Sequence, residues 1–254
     1  FIKQLIQLKE KSKLRKKTGL FVIEGKRELS LAIKGNYSIE TLYYYADLFS
    51  ASEASSLEVY GIDVIEITKV VYEKIAHRET TEGIIAVAKA KDLGLKNLEF
   101  KSKTPLILVA EAPEKPGNIG ALLRTADAAN VDAIIISNPL TDLYNPNSIR
   151  SSVGGVFTVP IATGTTEEII NYLKQHNISI YAAILQESVM YDSIDFKKAT
   201  AIVVGAESTG LSKEWRDAST AKIRIPMQGK IDSMNVSVAA GILIFEAKRQ
   251  RKFN

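Results

Sequence analysis

The chain has 254 residues, 46% hydrophobic and 24% charged, the balance of a soluble globular protein large enough for one big domain or two modest ones. It has no cysteine and only two histidines. That excludes disulfides and thiolate metal sites, argues against zinc, and fits a reducing, cytoplasmic setting. The net charge of +4 is a mild bias, no apolar run reaches the length of a membrane span, and FIKQLIQLKEKSK is too charged for a signal-peptide core.

In chain order, Ile2, Leu5, Ile6 and Leu8 have amphipathic helical spacing. Lys9, Lys11, Lys13, Arg15, Lys16 and Lys17 follow as a basic cluster, open to two readings: a polyanion contact or a solvated helix end. GLFVIEG predicts a strand and KRELSLAIKG a helix stopped at Gly35. IETLYYYA, VYGIDVIEIT and GIIAVAKA predict strands, with VVYEKIAH a short helix before the last. His77 and Arg78 fall at a turn there, with RNA contact as the alternative to plain surface. This small α/β unit spans 1–90, and the lysine-rich stretch 91–104 is the best linker.

From Pro105 strands and helices alternate: PLILVAEA, NIGALLRTADAAN, DAIIIS, EEIINYLKQHN, ISIYAAIL, ATAIVVGA, AKIRIPM, and a last helix with Val238, Ile242 and Phe245 at core spacing. The alternation predicts a mostly parallel sheet covered on both faces. Lys248, Arg249, Arg251 and Lys252 close the chain as a second basic cluster.

Four stretches combine polar residues with turn chemistry. In EAPEKPGNIGALLR a Pro-Gly-Asn turn opens a helix, so Asn118 is either a ligand contact or an N-cap, and Arg124 either a phosphate grip or surface. VVGAESTGLS ends an apolar strand in a Gly-rich loop bearing Glu207, without the Lys-Ser/Thr of a P-loop. YNPNSIRSSVGGVF carries Arg150 and Ser152 on a loop-to-helix segment suited to positioning phosphate. In IPMQGKIDSMNVSVAAG, Asp232 or Ser233 can cap the last helix, which leaves Asn235 unexplained by capping. Gly241 inside that helix suggests a close neighbour.

The order and spacing of these stretches resemble the SpoU (TrmH-type) RNA 2′-O-methyltransferase family of the SPOUT superfamily. The resemblance covers 105–254, and FVIEGKRELSLAI is similar, more weakly, to the start of that family's ribosomal-protein-like substrate-binding domain. It implies an α/β fold: a C-terminal SPOUT domain with a mostly parallel sheet and deep trefoil knot, plus a small N-terminal RNA-binding domain. It further implies S-adenosylmethionine bound against Gly205, Ile225, Met227 and Met234, no metal, and a homodimer whose active site draws on both subunits. The site would comprise Asn118, Arg124, Glu207, Ser233 and Asn235, with Arg124 nearest the proton transfer. RNA contacts would be Arg150 and Ser152, with Lys16 and Arg27 of the first domain. The expected substrate is ribosomal RNA; the alternatives are transfer RNA, or a non-catalytic RNA-binding protein on the same fold. Two departures stand out: EKPGN where many members have Asp-Pro-x-Asn, and Met234 where Leu is usual.

Overall fold

The computed structural model describes residues 2–76, 82–231 and 233–253. His77, Arg78 and Asp232, which the sequence offered as an RNA contact or a helix cap, lie outside the described residues. Two units emerge, Phe1–Lys91 with Asp142–Thr158, and Asp92–Thr141 with Val159–Asn254.

The first unit contains α1 (Ile2–Glu10), α2 (Ser12–Thr18), β1 (Leu20–Glu24), α3 (Lys26–Lys34), β2 (Ile39–Tyr44), α4 (Ala51–Ser55), β3 (Asp63–Glu66), α5 (Lys69–Ile75) and β4 (Ile84–Lys89). Its strands form a sheet of order β1-β4-β2-β3, antiparallel except for β2 against β3. Leu5 and Leu8 of α1 bury against Val22, Tyr43 and Ile85, as the amphipathic spacing predicts. The basic cluster divides. Arg15 is 4% exposed and turns inward, donating to Asp142 and to the Leu8 carbonyl at 2.6 Å each. Lys9 pairs with Glu24, whereas Lys16 and Lys17 stay exposed.

The segment 142–158, which sequence order places inside 105–254, packs with this first unit instead. Phe21 stacks on Tyr144 with ring centroids 4.4 Å apart. At Gly154, with φ of 84°, a Cβ would come within 2.6 Å of Leu31 Cδ1.

 The helix in that segment is α7 (Pro146–Ser151), capped by the Asn145 side chain on the Asn147 N–H.

The second unit contains β5 (Leu106–Glu111), α6 (Pro116–Ala128), β6 (Ala133–Ser137), β7 (Ile161–Gly164), α8 (Thr166–Gln175), β8 (Ser179–Ala183), β9 (Val189–Met190), β10 (Thr200–Val204), α9 (Lys213–Ala218), β11 (Ala221–Arg224) and α10 (Val236–Gln250). Its seven strands run in the order β7-β6-β5-β10-β8-β11-β9, and every pairing is parallel. β5, β6 and β10 are buried at every residue, which is why their sequences read as continuous apolar runs. Chain order leaves β5 in one direction for β6 and β7, and in the other for β10 and β8. The β5/β10 boundary is therefore the switch point, where open parallel sheets bind ligands beyond the strands' carboxyl ends.

Two helices lie beside that boundary. α6 buries Leu122, Leu123 and Ala126 completely, the face its spacing predicts. α10 packs on α6, β10 and β5, but through a different stripe than expected. Ala240, Leu243, Ile244 and Ala247 are buried, while Val238 and Phe245 are 53% and 41% exposed. Small alanines let α10 approach the sheet closely, and that leaves Val238 and Phe245 facing outward with Ile242 half-buried between them. Gly241 faces Thr125, where an added Cβ would sit 3.8 Å from the methyl group. The contact is ordinary van der Waals packing with room for alanine.

Candidate active site

Three chain segments meet beyond the carboxyl ends of β5 and β10. The first leaves β5 at Glu111 and enters α6, whose N-cap is Lys115 with Pro116 at the first turn. Proline suits that position because its missing N–H would have no helical partner there. Asn118 is therefore inside the first turn and is not the cap, which frees its side chain for the site. The second segment leaves β10 at Gly205 and returns through an Ala206–Gly210 bridge. Gly205 has to be glycine: a Cβ there would fall 2.3 Å from the Gly210 carbonyl carbon and 2.5 Å from the Leu211 nitrogen. The third runs from Ser233 into α10.

Asn235 joins all three. It is the N-cap of α10, its Oδ1 accepting from the Ser237 N–H at 2.9 Å and the Ser237 hydroxyl at 2.6 Å. Its Nδ2 donates to Glu207 Oε1 at 3.0 Å and to Asn118 Oδ1 at 3.4 Å. A carboxylate only accepts and a backbone N–H only donates, so these partners allow the amide one orientation. Capping thus does explain half of Asn235, contrary to the expectation from sequence, and the other half is the link to Glu207. Glu207 also takes a 3.1 Å ion pair from Lys115. Its carboxyl is held below the usual range, first by the Lys115 ammonium and then by the Asn118 amide.

Behind this exposed cluster lies a buried one. Glu111, 6% exposed, accepts from the Thr166 hydroxyl at 3.1 Å and the Ser212 N–H at 2.8 Å. It ties the end of β5 to the far end of the Gly205–Leu211 loop.

A cavity of about 620 Å³ opens beside the cluster, with Gly205, Glu207, Ser233, Met234 and Asn235 in its wall together with Leu185, Val204, Leu211 and Val236. That volume and the largely apolar wall with a few polar groups suit a small organic ligand, for which pockets run to roughly 300–1,000 Å³. Of the residues expected to meet a cofactor, Gly205 and Met234 line the cavity, while Ile225 and Met227 follow β11 outside that lining. Arg124 is exposed on α6. Six residues beyond Asn118 it is turned about 120° from it around the helix, and it is not in the cavity wall.

The expected RNA contacts lie in the first unit. Lys16 is exposed on α2, Arg27 is exposed on α3 beside Glu28 at 3.0 Å, and Arg150 donates to Asn147 on α7 at 3.0 Å. Ser152 departs from expectation. It is 2% exposed, and its hydroxyl donates to the Ile149 carbonyl at 2.8 Å, closing the turn after α7. Sequence reasoning missed Lys115, Glu111 and the β8 end at Leu185. The position of β8 in a parallel sheet was a usable signal for Leu185; nothing local marked the other two. Among the described residues no group of His, Asp or Glu could hold a metal ion, and no helix is long and apolar enough to cross a membrane.

Comparison with known proteins agrees with the fold. Residues 105–245 match the model of the SpoU rRNA Methylase family, and residues 1–86 match the MRM3-like substrate binding domain. The chain is 26% identical over 236 residues, 93% of its length and 91% of the relative's, to the 23S rRNA (guanosine(2553)-2'-O)-methyltransferase RlmP of Bacillus subtilis. Among solved structures, an RNA 2'-O ribose methyltransferase is 36% identical with a TM-score of 0.83, covering 99% of this chain and 96% of that one. The SpoU methyltransferase AviRb from Streptomyces viridochromogenes, in complex with the cofactor AdoMet, is 26% identical with a TM-score of 0.89, covering 99% and 97%. With the switch-point cavity, the Asn118–Asn235–Glu207 cluster and a family match over most of the second unit, the chain belongs to the SpoU rRNA methylase family.

Proposed function

We propose that this protein methylates a ribose 2′-hydroxyl of ribosomal RNA, with S-adenosylmethionine as donor. The observation that carries the reading is the Asn235 amide holding Glu207 and Asn118 together on the rim of the cavity. The cavity fits the donor: its volume is adequate, its wall is largely apolar, and a carboxylate on its rim suits a cationic ligand. Gly205 and Met234 would hold the donor, with Ile225 and Met227 as further candidates. When bound, S-adenosylmethionine supplies an activated methyl group, so the protein's own task is positioning and one proton. Holding reactants in attack geometry is worth roughly 7–11 kcal/mol. Asn118, Glu207, Ser233 and Asn235 orient the ribose at the cavity mouth. Arg124 stabilises the forming alkoxide; a guanidinium is a donor with no accepting lone pair, which makes it a poor literal base.

The protein works as a homodimer in this reading, in the cytoplasm. The exposed Val238 and Phe245 of α10 support it, as does the place of Arg124 outside the cavity of its own chain. An active site drawn from two copies accounts for both. Lys16, Arg27 and Arg150 carry the RNA in the first unit, where residues 1–90 serve as the RNA-binding domain together with the segment 142–158; the remainder of 105–254 serves as the methyltransferase domain, and 91–104 leads into it. The deep knot belongs to the same proposal. Ribosomal rather than transfer RNA is favoured by the match of residues 1–86 to a substrate-binding domain and by the name of the Bacillus relative.

The test is methyl transfer from labelled S-adenosylmethionine onto separated ribosomal and transfer RNA. Label in 23S RNA is expected, and label confined to transfer RNA would refute the substrate. Arg124→Ala should abolish turnover while calorimetry shows the donor still bound; normal turnover by that variant removes Arg124 from the chemistry.

A further inference from the structure

A second cavity, of about 550 Å³, opens at the other end of the same parallel sheet, where β5 begins at Leu106 and β10 follows Lys197. We propose that it binds the phosphate backbone of RNA at a distance from the catalytic cleft, through Lys197, Arg251 and Lys252. This rests on the RNA reading above and adds a second place where the polymer is held.

The cations in this wall are positioned by the fold. α10 closes with the Phe253 N–H on the Lys248 carbonyl at 2.8 Å and the Lys252 N–H on the Arg249 carbonyl at 3.0 Å, the paired bonds of a Schellman ending. Arg251 is pinned by three carbonyl oxygens, those of Phe196 at 2.8 Å and of Thr104 and Lys198 at 2.5 Å each. Carbonyls hold the guanidinium without neutralising it. Among the described residues Asp132 is the one carboxylate lining the wall, where it accepts the Leu106 N–H at 2.8 Å, and Asp195 acts on Arg251 from outside it. Lys197 and Lys252 are exposed.

The bland account falls short. Cations in the last turn of a helix offset its dipole, which suffices for Lys248 and for Arg249, itself paired with Glu246 at 2.8 Å. It does not account for Lys197, which arrives from the connection into β10. Nor does it account for Lys252, which has φ of 57° at the position where helices favour glycine. A lysine kept in a left-handed conformation points to a use for its charge.

Distance decides the kind of ligand. α10 begins at the catalytic cluster and ends at this cavity, and its 15 residues span about 22 Å. One nucleotide cannot reach both ends. A strand rising roughly 3.4 Å per nucleotide covers that span in six or seven, so a folded RNA can engage both.

The experiment uses the full chain and a 23S RNA transcript, with filter binding across a salt series beside methyl transfer and donor calorimetry. The variants are Lys252→Gly, which relieves the left-handed lysine, and Lys197→Gln. Each should lower the slope of log affinity against log salt by roughly 0.7, and together they should raise KM for RNA about tenfold. kcat and donor affinity should not change, and Lys252→Gly should melt no lower than wild type. Wild-type affinity and slope in both variants would overturn the site, even if the wild type methylates RNA. If the wild type binds RNA with the expected slope losses but transfers no methyl group, the cavity stands and the methyltransferase reading falls.

Discussion

Aspartate and alanine at position 235 separate the two jobs of one amide. Asn235→Ala removes the Oδ1 that accepts from Ser237 and the Nδ2 that donates to Glu207. Loss of an N-cap costs about 1 kcal/mol, and 1 kcal/mol lowers Tm by about 2–4 °C in a chain of this size. Asn235→Asp keeps an equally good cap acceptor, so Tm should stay within about 1 °C of wild type. On the other side it places a carboxylate oxygen where Nδ2 now sits, 3.0 Å from Glu207 Oε1. Two acceptors of like charge cannot share that spacing, so Glu207 moves away. A misplacement of about 1 Å in a site that works by positioning can lower the rate about 100-fold. The assay is thermal unfolding beside single-turnover methyl transfer at saturating donor. The expected pattern is near-normal melting with about 100-fold slower transfer for Asn235→Asp, and losses in both for Asn235→Ala. Wild-type transfer by Asn235→Asp, or equal melting losses in the two variants, would refute the division of labour.

Gly205→Ala pushes a Cβ into the backbone at Gly210 and Leu211; overpacking of this kind costs about 1–3 kcal/mol, and calorimetry should show donor affinity reduced at least several-fold. Gly241→Ala has room beside Thr125 and should stabilise α10 by about 1 kcal/mol, seen as a higher Tm; a lower Tm would mean that α10 and α6 pack more closely than described. The Glu207 carboxyl is lowered first by Lys115. A depressed carboxylate keeps its folded-state interactions above its unfolded pKa and loses them as pH falls through the folded value. Lys115→Met should therefore move the acid limb of the methyl-transfer profile to higher pH, and an unmoved limb would detach Glu207 from the rate.

The strands and main helices of the second unit were readable because a fully buried parallel strand must be apolar throughout, as β5, β6 and β10 are. The Asn118–Asn235–Glu207 cluster was readable as residue types in order, and its geometry was not. Asn118 looked like a cap because Asn is a favoured cap residue, although Pro116 two positions earlier is the local signal for the first helical position. Asn235 looked unsuited to capping because Asp232 and Ser233 precede it. The outward turn of Val238 and Phe245 was hidden because apolar spacing does not say which of two stripes meets the sheet; the alanines of α10 decide it. Ser152 shows the reverse error, since a polar residue in a suggestive segment can serve its own turn. Lys115 and Glu207 are 92 positions apart, and only the fold brings such a pair together.

The central claim is transfer of a methyl group to a ribose oxygen. It is tested most directly by digesting 23S RNA labelled by this protein to nucleosides and locating the label. The account predicts label in a single 2′-O-methylnucleoside, within a linkage that resists alkaline hydrolysis because its 2′-oxygen is blocked. Label on a base, with every linkage still cleaved by alkali, would contradict it.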